Sequence, residues 1–294
     1  MESARVSVWL SAWQSGGVGV VSSDMAKVYT VLFIVVVLGI AFAIIRNLEK
    51  RREGRRAALL KRRFSAEERE EIGRDFDLYK RLPDDVRDEL DGLAHVFIEE
   101  KFFEPCGGLE EVTGHMQRVI ACQACLLIVR APHHDYEKLR SILVYPEAYR
   151  APGQHGAEDV RLGESWGTGS VVLSWGSVVG GGRNSHDGHD VVLHEFAHQL
   201  DQADGAGDGV PELESRGAYR EWAAVFKPAF DVFQQRVDAG ERTVIDDYGA
   251  ENPAEFFAVV TETFYEKPKQ LRKRYPALYA QLVKYYGVDP ESWH

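Results

Sequence analysis

The chain has 294 residues, 45% of them hydrophobic and 11% aromatic, which excludes a disordered polar chain and leaves room for a real core. Its formal net charge of −11 hides an asymmetry: residues 46–63 hold nine Lys/Arg against Glu49 and Glu53, so the rest is more acidic than the total. An acidic body of this kind is a poor match for phosphate backbones and argues against nucleic-acid binding. Three cysteines, Cys106, Cys122 and Cys125, are too few and odd in number for a disulfide framework and fit a reducing compartment.

Residues 1–24 are small, polar and glycine-rich, and residues 1–27 read as a short extracytoplasmic N-terminus. Met25 offers an alternative start to Met1. Residues 28–45 (VYTVLFIVVVLGIAFAII) carry no charge over 18 positions. As a helix they span roughly 27 Å, close to the ~30 Å hydrocarbon core of a bilayer. A buried core helix would show a polar face. A cleaved signal peptide would have a shorter, basic leader and a small-residue cleavage site. The segment therefore predicts one transmembrane helix. The basic block after it (Arg46 to Arg63) suits lipid headgroups and, by the positive-inside rule, predicts a cytoplasmic body at the inner membrane. Residues 46–72 read as a basic juxtamembrane stalk, and 73–294 as the catalytic domain.

Within the body, Phe76, Tyr79, Leu82, Val86, Leu90, Leu93, Val96 and Phe97 recur with helical period over 74–102. Pro83 divides the run, and Asp84 and Asp85 stand in the first turn beyond it. A helix is predicted over 109–125, then strands at Leu126–Arg130, Ser141–Tyr145 and Ser170–Trp175. A polar loop with Pro152, Gly153 and Gly156 separates the last two. Val178–Gly188 reads as a glycine-rich loop. Helices follow over Asp190–Gln202, Glu212–Ala239 (with Gly240 just past its end), from Asn252-Pro253 to Glu266, and over Pro276–Tyr286. The fold class is α+β: helices, a small sheet, then helices.

His194-Glu195-Phe196-Ala197-His198 is an HExxH pattern. Residues four apart share a helix face, so both imidazoles can take corners of one zinc tetrahedron, and Glu195 falls beside the metal as a proton acceptor. The flanks Val191, Val192, Leu193, Phe196, Ala197 and Leu200 are apolar. A buried helix carrying two His and acids needs a partner for them, and a metal is one. A third ligand is required. Asp201 lies on the same face, seven past His194, and its alternative role is to orient a ligand histidine. Glu255 opens a later helix, where Asn252-Pro253-Ala254-Glu255 equally fits a capping box. Spacing leaves the two nearly even.

VVLHEFAHQLD (191–201) and IDDYGAENPAEFFAVVTETFYEKP (245–268) resemble the Mlc titration factor A family of zinc metallopeptidases. Matching stretches at 78–105, 117–129 and 141–149 fall in the same order, so the resemblance covers roughly 75–290. It implies a zincin-like gluzincin fold, similar to the peptidase domain of anthrax lethal factor. It also implies Glu255 as third zinc ligand, Asp201 as a supporting carboxylate and Tyr248 as a transition-state donor. Weak aminopeptidase activity and binding of a glucose-responsive transcriptional repressor are implied as well. The chain departs from the soluble members in its N-terminal apolar helix.

The expected function is thus a membrane-anchored zinc metallopeptidase acting on peptide or protein substrates. The alternative is a regulator that titrates a transcriptional repressor or other partner with weak or no peptidase activity. SVVLSW (170–175) is expected to form a sheet edge to which an extended peptide could add. Cys122-Gln-Ala-Cys125 reads as packing, and 186–190 (HDGHD) as a polar loop with Asp190 near a helix start. Trp166 and Trp175 read as core or cleft wall. His133, His134 and His294 are given no role.

Overall fold

The computed structural model describes residues 23–131, 136–147, 149–150, 160–161, 163–166 and 169–293. The loop with Pro152, Gly153 and Gly156, together with His133, His134, His294 and residues 1–22, lies outside the described residues. The chain divides into two units, Met1–Arg56 and Ala57–His294.

Helix α1 (Ser23–Leu59) contains the apolar run. Its mean hydropathy reaches 3.0 and none of that window is buried, so it is long and apolar enough to cross a membrane and is not a core helix.

In the second unit, α2 (Ala66–Asp75) starts at a capping box: Ser65 Oγ accepts from Glu68 N, and the Glu68 carboxylate accepts from Ser65 N. Helices α3 (Asp77–Arg81) and α4 (Asp84–Glu100) follow, broken by Pro83 as the sequence indicates. The body begins earlier than 73. Phe64 and Ile72 are buried, and Phe64 N donates to Asp91 Oδ2 at 3.0 Å, so the packed body reaches back to Phe64 although most residues between 60 and 72 stay exposed. Asp91, fully buried on α4, also accepts from Arg69 Nε (2.9 Å), Arg69 Nη2 (2.6 Å) and Tyr79 Oη (2.6 Å). Four donors on one carboxylate offset the desolvation of its charge.

Strand β1 (Phe102–Pro105) replaces the expected end of the preceding helix. Helix α5 (Gly114–Leu126), capped by Thr113, is buried all round its second half, including Cys122 and Cys125. Burial pushes the Cys122 thiol well up, so the pair packs as small hydrophobes. The expected strand at Leu126–Arg130 is absent. The helix runs to Leu126 and turns follow, because a short apolar run buried on every side has no period to separate strand from helix.

Strands β2 (Ser141–Tyr145), β3 (Tyr149–Arg150), β4 (Val160–Arg161), β5 (Gly163–Trp166) and β6 (Ser170–Ser174) make a sheet of order β1-β2-β6-β5 and a separate β3-β4 pair. β1, β2 and β6 are parallel, with Ile142 opposite Val171 and Val144 opposite Leu173. β5 is antiparallel to β6. Val171, Val172 and Leu173 are all buried, which suits an interior strand. SVVLSW is therefore not a sheet edge. β6 is hydrogen-bonded on both sides, and among the described residues the edges are β1 and β5.

The expected glycine-rich loop at 178–188 is largely helix α6 (Trp175–Arg183), started by Ser174 Oγ accepting from Ser177 N at 3.1 Å. Its glycines permit close packing: a Cβ on Gly182 would stand 2.3 Å from the Asp75 carbonyl oxygen. Helices α7 (Val191–Asp201), α8 (Arg216–Asp238), α9 (Pro253–Glu266), α10 (Pro268–Arg274) and α11 (Pro276–Tyr286) complete the body, with a 3-10 turn at Asp247–Ala250 before α9. Trp222 stacks on Phe226 at 3.8 Å, and Phe256 and Phe257 of α9 pack on this pair. The body is mostly helical around a small, mainly parallel sheet.

Candidate metal centre

Helix α7 carries the HExxH residues. Asp190 caps it, accepting from Val192 N and Leu193 N at 2.9 and 3.0 Å. The Gln123 amide nitrogen, in the orientation its surroundings require, donates to both Asp190 oxygens. Helix α9 packs along α7. Asn252 caps α9 by accepting from Glu255 N at 3.0 Å, but the Glu255 carboxylate faces the α7 histidines.

Three donor atoms converge there. Glu255 Oε2 lies 3.1 Å from His194 Nε2 and 3.3 Å from His198 Nε2, and the two nitrogens are 3.2 Å apart. Glu255 Oε2 is buried and has no aligned hydrogen bond, although both nitrogens are near. The edge of a tetrahedron around a zinc with ~2.05 Å bonds is about 3.3 Å. An equilateral triangle of that edge, with an orphaned carboxylate oxygen at one corner, fits one face of a four-coordinate metal better than it fits a hydrogen-bonded cluster. Burial opposes charge on His194, but Glu262 and Glu255 outweigh it and hold that imidazole well above its ordinary pKa. Burial raises Glu255 too, yet the two rings hold its carboxyl below the usual carboxylate range. A bound cation would replace the ring proton in this balance of charge.

The carboxylate that reaches a ring nitrogen is not Asp201. Asp201 is fully buried at the end of α7, where its Oδ2 accepts from Gly209 N at 3.0 Å and pins the following loop. Glu262 stands in the expected place. Its Oε1 meets His194 Nδ1 at 2.8 Å and its Oε2 accepts from Asp190 N at 2.7 Å. One turn on, Glu266 Oε2 accepts from Gly188 N and His189 N at 2.7 and 3.0 Å. The sequence reading missed Glu262. The signal was present: Glu255, Glu262 and Glu266 are spaced seven and eleven apart on one helix, so all three share the face turned to α7.

Glu195 is 6% exposed, and burial pushes its carboxyl up to about 7 against the pull of His194 and His198. Tyr248 sits on the 3-10 turn, whose start is fixed by Asp246 Oδ1 accepting from Tyr248 N at 2.9 Å. Its ring centroid is 5.9 Å from that of His194, and the residue is 47% exposed. Burial and then the Glu255, Glu251 and Glu195 carboxylates push its phenol up to about 12, so it is a neutral donor at ordinary pH. Trp175 lies edge-on to His115, with ring centroids 5.9 Å apart.

Residues 48–287 match the family model described as glucose-regulated metallo-peptidase M90. The chain belongs to the M90 family. A protein of unassigned function from Synechocystis sp. is 39% identical over 228 residues, covering 74% of this chain and 82% of the relative. Mlc titration factor A of Pectobacterium atrosepticum is 32% identical over 231 residues, 72% of this chain and 84% of that protein. Mlc titration factor A of Yersinia pestis is 30% identical over 222 residues, with 71% and 80% covered. The M90 match includes α7, the 3-10 turn and α9, so the whole donor triangle lies within it.

Proposed function

We propose that this chain is a zinc-dependent metallopeptidase anchored to a membrane by α1. The observation that carries the reading is the triangle of His194 Nε2, His198 Nε2 and Glu255 Oε2, with edges of 3.1–3.3 Å and an otherwise unpartnered carboxylate oxygen. Those three residues would hold the metal. Zinc bound there supplies an activated water and polarises the scissile carbonyl.

The chain's own groups then divide the work. Glu195 accepts a proton from the attacking water as its oxygen bonds to the carbonyl carbon, and passes that proton to the leaving amine as the C–N bond breaks. The Tyr248 hydroxyl donates to the carbonyl oxygen as negative charge develops on it. Tyr248 is exposed on the rim, where a peptide can reach it. Glu262 holds His194 through Nδ1, which leaves Nε2 for the metal. Asp201 supports the site only through the loop it pins.

The basic block 46–63 would sit in anionic headgroups with the body on the cytoplasmic side. A second reading rests on the relatives' name, Mlc titration factor A. On that reading the body binds a regulatory protein partner and hydrolysis is weak or absent. Assaying peptide hydrolysis by the zinc-loaded full chain beside Glu195→Gln separates them. Activity lost in the variant with zinc retained is the expected result. Equal activity in both removes Glu195 from its role, and no activity in either favours the partner-binding reading.

A further inference from the structure

A small cleft of about 230 Å³ opens between the loop that enters α7 and the segment that leads to Tyr248. It is below the ~300–1,000 Å³ of clefts that take drug-sized ligands, and suits one side chain or chain terminus. Its walls are fixed from below. Glu266 holds Gly188 N and His189 N on one side, and Ile245, 1% exposed, anchors the other. Lys267, the residue after Glu266, crosses Gly188. A Cβ on Gly188 would stand 3.0 Å from Lys267 Nζ, and Gly188 also has φ +79°, so glycine is what lets the lysine into the cleft.

The charges lining the cleft are unevenly committed. Asp246 uses Oδ1 to start the 3-10 turn and faces His189 with Oδ2 at 3.6 Å. Lys267 and Arg242 have no ion pair among the described residues, and the Asp246 and Asp247 carboxylates line the cleft with them. Two uncommitted cations on preorganised walls stand out in an otherwise acidic body. Asp247 directly precedes Tyr248, so the cleft adjoins the rim of the proposed centre.

We propose that this cleft is a substrate subsite that takes a carboxylate, with Lys267 and Arg242 as its recognising residues. The carboxylate is either an acidic side chain near the scissile bond or a peptide's C-terminus. This inference rests on the peptidase reading for its place in catalysis, but peptide binding tests it separately from turnover.

The experiment uses the full chain in detergent micelles, zinc-loaded, with Glu195→Gln to suppress cleavage. The probes are an alanine-based hexapeptide, the same peptide with glutamate at each position in turn, and each as free acid and as amide. Dissociation constants are read by fluorescence anisotropy. One glutamate position, or the free terminus, is expected to bind roughly fivefold tighter than the neutral amide, the scale of a solvent-accessible charge pair. Lys267→Ala with Arg242→Ala should erase that gain and leave the neutral peptide's affinity unchanged. A gain from glutamate alone identifies the side chain as the source, and a gain from the free acid alone identifies the terminus. No gain at any position, a gain that survives both substitutions, or no measurable binding by any peptide overturns the subsite. Failure of the wild-type chain to cleave the same peptides, with the binding preference intact, counts against the peptidase reading and not against the subsite.

Discussion

Glu262 is the sharpest place to perturb the candidate centre without touching a donor atom. Both of its oxygens are in use, one on His194 Nδ1 at 2.8 Å and one on Asp190 N at 2.7 Å. In Glu262→Gln one oxygen becomes an NH2 group, which must then face either the ring N–H or the backbone N–H. Two donors cannot satisfy each other, so the glutamine either drops the ring or loosens the start of α7. Outer carboxylates on metal-binding histidines typically change metal affinity by tenfold to a hundredfold, about 1.4–2.7 kcal/mol. The assay is competition for zinc against a chromophoric chelator, with circular dichroism to verify that the helices remain. Glu262→Gln and Glu262→Ala should each weaken zinc binding by at least about tenfold. Affinity within twofold of wild type in a folded Glu262→Gln protein would refute the reasoning.

Three further outcomes are expected. Burial, reinforced by Asp190, pushes the Glu266 carboxyl up to about 10, so the folded state holds its proton more tightly than the unfolded state. Stability from this group is therefore fullest below its ordinary pKa of 4.5 and declines as pH climbs toward 10. Glu266→Gln can still accept from Gly188 N and His189 N but has no proton to lose, so it should match wild-type stability near pH 4, exceed it at pH 7 and flatten the decline, as thermal melts across pH will show. Asp91→Ala strips one carboxylate from Phe64 N, Arg69 and Tyr79, and should lower stability by about 3 kcal/mol in urea unfolding, the low end for a broken buried pair because Arg69 keeps Asp88. External protease applied to intact cells should leave the body, from Ala57 onward, undigested. Its digestion would reverse the proposed orientation.

The parts of the fold that the sequence made legible are those with a single strong signal. Pro83 divides α3 from α4, Asn252-Pro253 opens α9, and the uncharged run in α1 has no polar face to bury. The misread parts are those where packing decides. Leu126–Arg130 is apolar on every side, and its neighbours make it a helix end and turns. Gly180–Gly182 looked like loop chemistry, yet Gly182 is a contact point that lets α6 approach the end of α2. The edge or interior position of β6 depends on which strands flank it, and local alternation does not carry that information. At the site, the two histidines were set by helical spacing, while Glu255 and Asp201 could not be separated by spacing. Their surroundings differ: Glu255 faces two rings, and Asp201 faces a loop amide. Glu262 was hidden because a glutamate in the middle of a helix says nothing by itself; its meaning comes from α7 lying alongside.

The most direct measurement is zinc per chain, by elemental analysis of the full-length protein beside His194→Ala, His198→Ala and Glu255→Ala. One zinc per wild-type chain, with each substitution releasing it from a protein that keeps its helical signal, is the predicted result. No zinc in the wild type, or zinc retained at full stoichiometry in all three variants, would contradict the donor triangle and with it the proposed chemistry.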